Sequence, residues 1–172
     1  MKTLRLLMTA AVFSVFLTGV AMAQTPMKIA TMDLSKVFDN YEKTKAYDTE
    51  FEAKYKAVEQ DRNQKIEKLR EANNKLALVK EDEKMKLQKE IDQMTSELRD
   101  YDRQKEIDFQ KERNDKVREI LLEVEKVVSE YSKAEKIDIV LNDRVLIYGN
   151  EILDISETIL NKLNESYNKA AK

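Results

Sequence analysis

Residues 87–101 read LQKEIDQMTSELRDY, in which Leu87, Ile91, Met94, Leu98 and Tyr101 recur at steps of four, three, four and three. That spacing puts five apolar side chains on one face of a helix and leaves charged and amide groups on the others, the signature of a coiled-coil seam. Downstream, Val117, Leu121, Val124, Val128 and Tyr131 repeat the same steps. Upstream, Tyr47, Phe51, Tyr55, Val58, Ile66, Leu69, Leu76 and Val79 hold a looser helical period. Between Tyr41 and Ala134 there is no Gly and no Pro, about half the residues are charged, and the two signs nearly cancel. Good helix formers dominate. A single rod of that length spans ~140 Å and leaves its seam needing another chain, whereas a hairpin closes on itself. The stretch Lys80-Glu81-Asp82-Glu83 lies between the seams and has no apolar residue. It is the expected turn, with Asp82 able to cap the second helix. Leu76 then meets Leu87, Leu69 meets Met94, Ile66 meets Leu98, and Tyr55 meets Phe109. Arg62 stands where a core residue belongs and Lys105 faces Val58. The middle of the hairpin is therefore soft, each missing Leu-sized contact forgoing ~1.5–3 kcal/mol.

The segments outside the hairpin, about 27–40 and 135–172, have a different texture. Ile29-Ala30-Thr31-Met32 reads as a short strand, and Asp33 or Ser35 caps a brief helix through Val37 and Phe38. Ile137–Leu141 and Val145–Tyr148 are β-branched runs separated by Asn142-Asp143, which suggests a β-hairpin. Asp154 with Glu157 three residues on resembles a capping box for a last helix. A unit of about 50 residues is marginal alone, and oligomerisation is the available staple. The expected oligomer core is Ile29, Ile139, Leu141, Leu146 and Tyr148. The fold class is thus α+β: a long antiparallel coiled-coil α-hairpin over 41–134, turning near 80–83, that projects from a small β-rich oligomerisation body built from both chain ends.

Composition narrows the chemistry. The 172 residues carry 31 Lys+Arg against 33 Asp+Glu, with no His, no Cys and two Gly. Imidazole bases, thiolate nucleophiles, histidine or cysteine metal sites, disulfides and glycine-rich phosphate loops are excluded. No catalytic residue, cofactor site or metal site is expected, and no enzyme activity. Met1–Ala23 reads as a secretory signal: Lys2 and Arg5, an uncharged, mostly apolar run from Leu6 to Val20, then Ala21-Met22-Ala23 with small residues at Ala21 and Ala23. That run is short of the ~20 apolar residues needed to span a bilayer. Loss of Lys2 and Arg5 moves the formal net charge from −2 to −4.

Two segments resemble the Skp/OmpH-like periplasmic chaperones. The first is Lys28-Ile29-Ala30-Thr31-Met32-Asp33-Leu34-Ser35-Lys36-Val37-Phe38. The second is Ile137-Asp138-Ile139-Val140-Leu141, then Tyr148, then Asp154-Ile155-Ser156 with Ile159 and Leu160, where Ser156 stands for the family's usual Thr. The resemblance implies a homotrimer with helical tentacles around a cavity. It also implies an ATP-independent periplasmic holdase for unfolded outer-membrane proteins. Client release by mass action suits an exported space without ATP. The best-known members are basic, but here the sequence pI is near 5.5. The arm tip, moreover, mixes Lys80, Lys84 and Lys86 with three carboxylates. That balance argues against electrostatic capture of lipopolysaccharide or anionic lipid and against nucleic acid. Client contact is expected at apolar side chains such as Tyr47, Met85 and Phe109. The competing reading is a structural coiled-coil spacer or adaptor of the cell envelope.

Overall fold

The computed structural model describes residues 26–170; the expected signal, with Ala21 and Ala23, lies outside them. In chain order the elements are β1 (Ile29–Met32), α1 (Leu34–Asn40), α2 (Glu42–Leu76), α3 (Glu81–Glu135), β2 (Ile139–Asn142), two 3-10 turns (Asp143–Val145 and Glu151–Leu153) and α4 (Ser156–Ala170). At 1.5 Å per residue, α2 is ~52 Å long and α3 ~82 Å.

The two long helices form the expected antiparallel hairpin. Aromatic rings fill the seam near its root: Phe51 lies 5.3 Å from Phe109, with Tyr47 and Tyr55 at 5.7 Å from Phe51 and Phe109 respectively. The Tyr55–Phe109 pairing is the one the apolar register anticipates. Leu87, Met94, Leu98 and Tyr101 are half-buried and Ile91 is buried. The turn is Ala77–Lys80, slightly earlier than expected. Glu81, Asp82 and Glu83 all belong to the first turn of α3, and Lys80, not Asp82, occupies its N-cap position. Three consecutive carboxylates next to free backbone N–H groups are favoured inside a helix N-terminus by its dipole, which outweighs their lack of apolar character.

The body gathers both chain ends. β1 and β2 pair in parallel, Ile29 opposite Ile139 and Met32 opposite Asn142. Lys28 N–H donates to the Asp138 carboxylate at 2.8 Å and pins that register. α3 stops at Lys136, which takes the left-handed conformation (φ 56°, ψ 42°), and Ile137 N–H then donates to Ser132 O at 2.8 Å. The core joins Ala30, Met32, Val37 and Tyr41 to Ile120, Val124, Ile155, Ile159 and Leu163. Leu121, expected in the seam, is exposed, and Ile120 is buried instead. A strict four-three repeat drifts by ~20° per heptad on a straight helix, and at its root α3 packs against α1 and α4 as well as α2.

The expected β-hairpin is not formed. Asn142 does make a turn, its side chain accepting from Arg144 N–H at 3.3 Å, but the chain enters a 3-10 turn there. Val145–Tyr148 pairs with no strand among the described residues. β2 pairs instead with β1, and the far side of β1 is met by an isolated parallel bridge from Thr31 to Asp154. The sheet is thus smaller than the β-branched runs suggest. The expected capping box is also replaced: Asp154 accepts from Ser156 N–H at 2.8 Å, while Glu157 reaches Lys36 at 2.7 Å.

Candidate functional site

Two surfaces stand out, one on the body and one along the arm. On the body, Ile29 and Ile139 sit side by side on adjacent strands and both are exposed. Leu141 and Leu146 are half-buried. Val145, Ile147, Tyr148 and Ile152 reach solvent, Ile147 with 108% relative exposure. Asn142 and Asn150 side chains each bond a backbone N–H two residues on, so the segment carrying these apolar groups is held by local turns and not by core packing. The body thus leaves several large apolar side chains open to solvent.

Where the arm leaves the body, a polar cluster ties three helices. Lys43 Nζ bonds Glu119 at 2.7 Å and also Glu123; Tyr41 O–H donates to Glu123 at 3.0 Å. Glu42 N–H donates to Asn164 of α4 at 2.9 Å. Hydrogen bonds from Lys43 and then Lys116 hold the Glu119 carboxyl down at about 2. Burial alone lowers the Lys43 pKa, yet its two carboxylate bonds outweigh this and the net shift is upward. Burial, then the bond to Glu123, pushes the Tyr41 hydroxyl well above its ordinary value.

Farther out, ion pairs replace apolar seam contacts. Lys54 bonds Glu112 at 2.6 Å, and Arg62 bonds Asp102 at 3.0 Å. Beside the second pair lies a recess of ≈ 480 Å³ lined by Tyr55, Val58, Arg62, Asp102, Lys105 and Phe109. Arg62 and Lys105, the two polar residues expected to interrupt the seam, both line this recess. Tyr47 and Phe109 are seam residues, and Tyr47 Oη is buried with no hydrogen-bond partner among the described residues. Met85 is 81% exposed near the tip, where Lys84 pairs with Glu81 at 2.7 Å and Lys80 and Lys86 face solvent. Sequence reasoning overlooked Ile107 and Leu122, both exposed on α3. Their signal was available, since neither fits the four-three steps of the seam.

Among the described residues no group of side chains is arranged to hold a metal ion, and no helix is long and apolar enough to cross a membrane. A family described as outer membrane protein (OmpH-like) matches residues 28–163. No curated protein matches the chain in sequence. Among solved structures, it is similar to a candidate outer membrane chaperone (OmpH-like) from Caulobacter crescentus CB15. That likeness has a TM-score of 0.76 and 10% identity, covering 81% of this chain and 85% of the other, and at such low identity it is a likeness of fold. The family match runs from β1 through both long helices and β2 into α4, and the chain belongs to the OmpH-like family.

Proposed function

We propose that this protein is an ATP-independent holdase chaperone of the periplasm. It binds unfolded outer-membrane proteins between its helical arms and keeps them from aggregating before membrane insertion. The observation that carries the reading is the division of labour in one chain. A small body leaves apolar Ile29, Ile139, Ile147 and Tyr148 uncovered, and a long hairpin with a loosely packed middle projects from it. Copies joined through the bodies hold several arms around one space, and the homotrimer is the assembly we assign. Many weak contacts on bendable arms then add by multivalency without locking the client. Met85 reaches solvent and is the better placed of the three anticipated client contacts, because Tyr47 and Phe109 are engaged in the seam. With neither ATP nor a catalytic group, release follows from mass action as folding removes the free client. The acidic balance disfavours lipopolysaccharide, anionic lipid and nucleic acid as principal ligands.

The test is light scattering of a urea-unfolded outer-membrane β-barrel polypeptide diluted into buffer with purified residues 24–172, alongside the molar mass of that fragment. Suppressed scattering at one trimer per client supports the reading. Unchanged scattering together with a monomeric mass removes it.

A further inference from the structure

The two long helices differ on the faces they turn away from each other. On α2 the outward line runs Thr49, Ala53, Lys56, Gln60, Gln64 and Glu67, all exposed, with no large apolar side chain. On α3 the line opposite the seam runs Arg103, Ile107, Asn114, Arg118 and Leu121, with Leu122 beside it, again all exposed. Ile107 stands two residues from the seam residue Phe109, ~200° away around the helix. Ile107 and Leu122 are 52% and 59% exposed. Arg103 and Arg118 make no salt bridge among the described residues, in contrast to Lys43, Lys54 and Arg62, whose charges are neutralised by carboxylates. This face of α3 thus sets Arg103, Lys111 and Arg118 beside Ile107, Leu121 and Leu122, with Asp115 at its edge, and it lies on the body-proximal half of α3, away from the tip.

We infer that this stripe is the surface that grips the client, and that its occupant is an extended segment of an unfolded outer-membrane β-strand with acidic and apolar side chains. This rests on the holdase reading and specifies where on the arm it acts. Charge favours the match, since unpaired guanidinium groups flank the apolar residues. Length favours it too: Arg103 to Leu122 spans ~28 Å of helix, which ~9 residues of extended chain cover. That is close to the ~9–11 residues of a barrel strand. Ile107 and Leu121 are ~21 Å apart, near the distance between residues i and i+6 of a strand, which share a face.

The chain contains no Trp, so the emission of a Trp-containing client reports binding without background. Full-length mature protein is titrated with a urea-unfolded outer-membrane β-barrel polypeptide. Three forms are compared: the native chain, Ile107→Ser with Leu122→Ser, and Arg103→Glu with Arg118→Glu. Ala53→Ser with Gln60→Ser on α2 serves as the control. Each stripe pair is expected to weaken binding about ten-fold or more, with the α2 pair within about two-fold of native and the molar mass and helicity unchanged. The charge pair also flattens the salt dependence. Native-like binding by both stripe pairs overturns the inference while leaving the holdase reading intact. A stripe variant that alters the molar mass overturns it by making this face a contact between copies. Absence of binding by the native chain is the separate result that removes the holdase reading itself.

Discussion

Ser156 joins two distant segments through one hydroxyl. Its Oγ accepts from Asp33 N–H at 2.8 Å and donates to the Asp154 carboxylate, and the residue is buried. Ser156→Ala strands that N–H and is expected to cost about 1–3 kcal/mol in urea unfolding, whereas Ser156→Thr keeps the hydroxyl and costs less. Lys43 and Glu119 give the pH response. The Glu119 carboxyl sits at about 2 when folded, below its ordinary 4.5. Its contribution is therefore present above 4.5 and is lost as pH falls toward 2. The Lys43 pKa is raised, so its part is present below 10.5 and lost above it. Thermal midpoints should stay level between about pH 5 and 9 and fall on acidification below that window. Glu119→Gln should lower stability at neutral pH by only about 0.5–1 kcal/mol because the pair is partly solvated, and it should soften the acid limb. Tyr47→Phe removes a buried hydroxyl that has no partner, so the midpoint should hold or rise. The sequence offered Asp33 or Ser35 as the cap of α1, and Asp33 takes the role, its carboxylate accepting from Lys36 N–H at 2.9 Å. The Ser156 bond was not legible there, because its partner lies 123 residues away.

At the scale of elements, the hairpin was readable because its information is local and repeated. Leu87 to Tyr101 states a period, and the polar interruptions at Arg62 and Lys105 coincide with the recess. The strand partners were not readable in this way. A β-branched run such as Val145–Tyr148 declares extended, buried character without saying what buries it, and among the described residues only Leu146 of this run is even half-buried. The parallel pairing is flanked by the bond from Lys28 N–H to the Asp138 carboxylate, a contact across 110 residues that no short pattern encodes. The gap in the arm gives a direct test. Arg62→Leu with Lys105→Leu should fill the recess, stabilise the arm by about 1.5–3 kcal/mol per buried side chain and slow backbone hydrogen exchange in the middle of α2 and α3. If exchange there stays fast, the recess is not what softens the arm.

At the scale of the whole molecule, the exposed apolar segment of the body and the charged tip should behave oppositely. Ile147→Asp with Tyr148→Asp places charge on two exposed side chains outside the core, and it should lower the molar mass to that of a single chain while preserving helicity. Reversing Lys80, Lys84 and Lys86 should leave the mass unchanged, since the tip lies ~80 Å along α3 from the body. Light scattering with sedimentation separates the two, and a dispersed tip variant or an intact Ile147 variant would contradict the arrangement. The parallel pairing of β1 with β2 has one more effect. Lys28 and Asp138 are 110 residues apart. A polypeptide emerging N-terminus first, from a ribosome or a translocation pore, can zip its helices while still tethered. It cannot close its sheet until both long helices and Asn142 are through. Vectorial synthesis thus delivers pre-shaped limbs before any hub exists to join them, and a prematurely stopped product is left as a lone limb with no avidity.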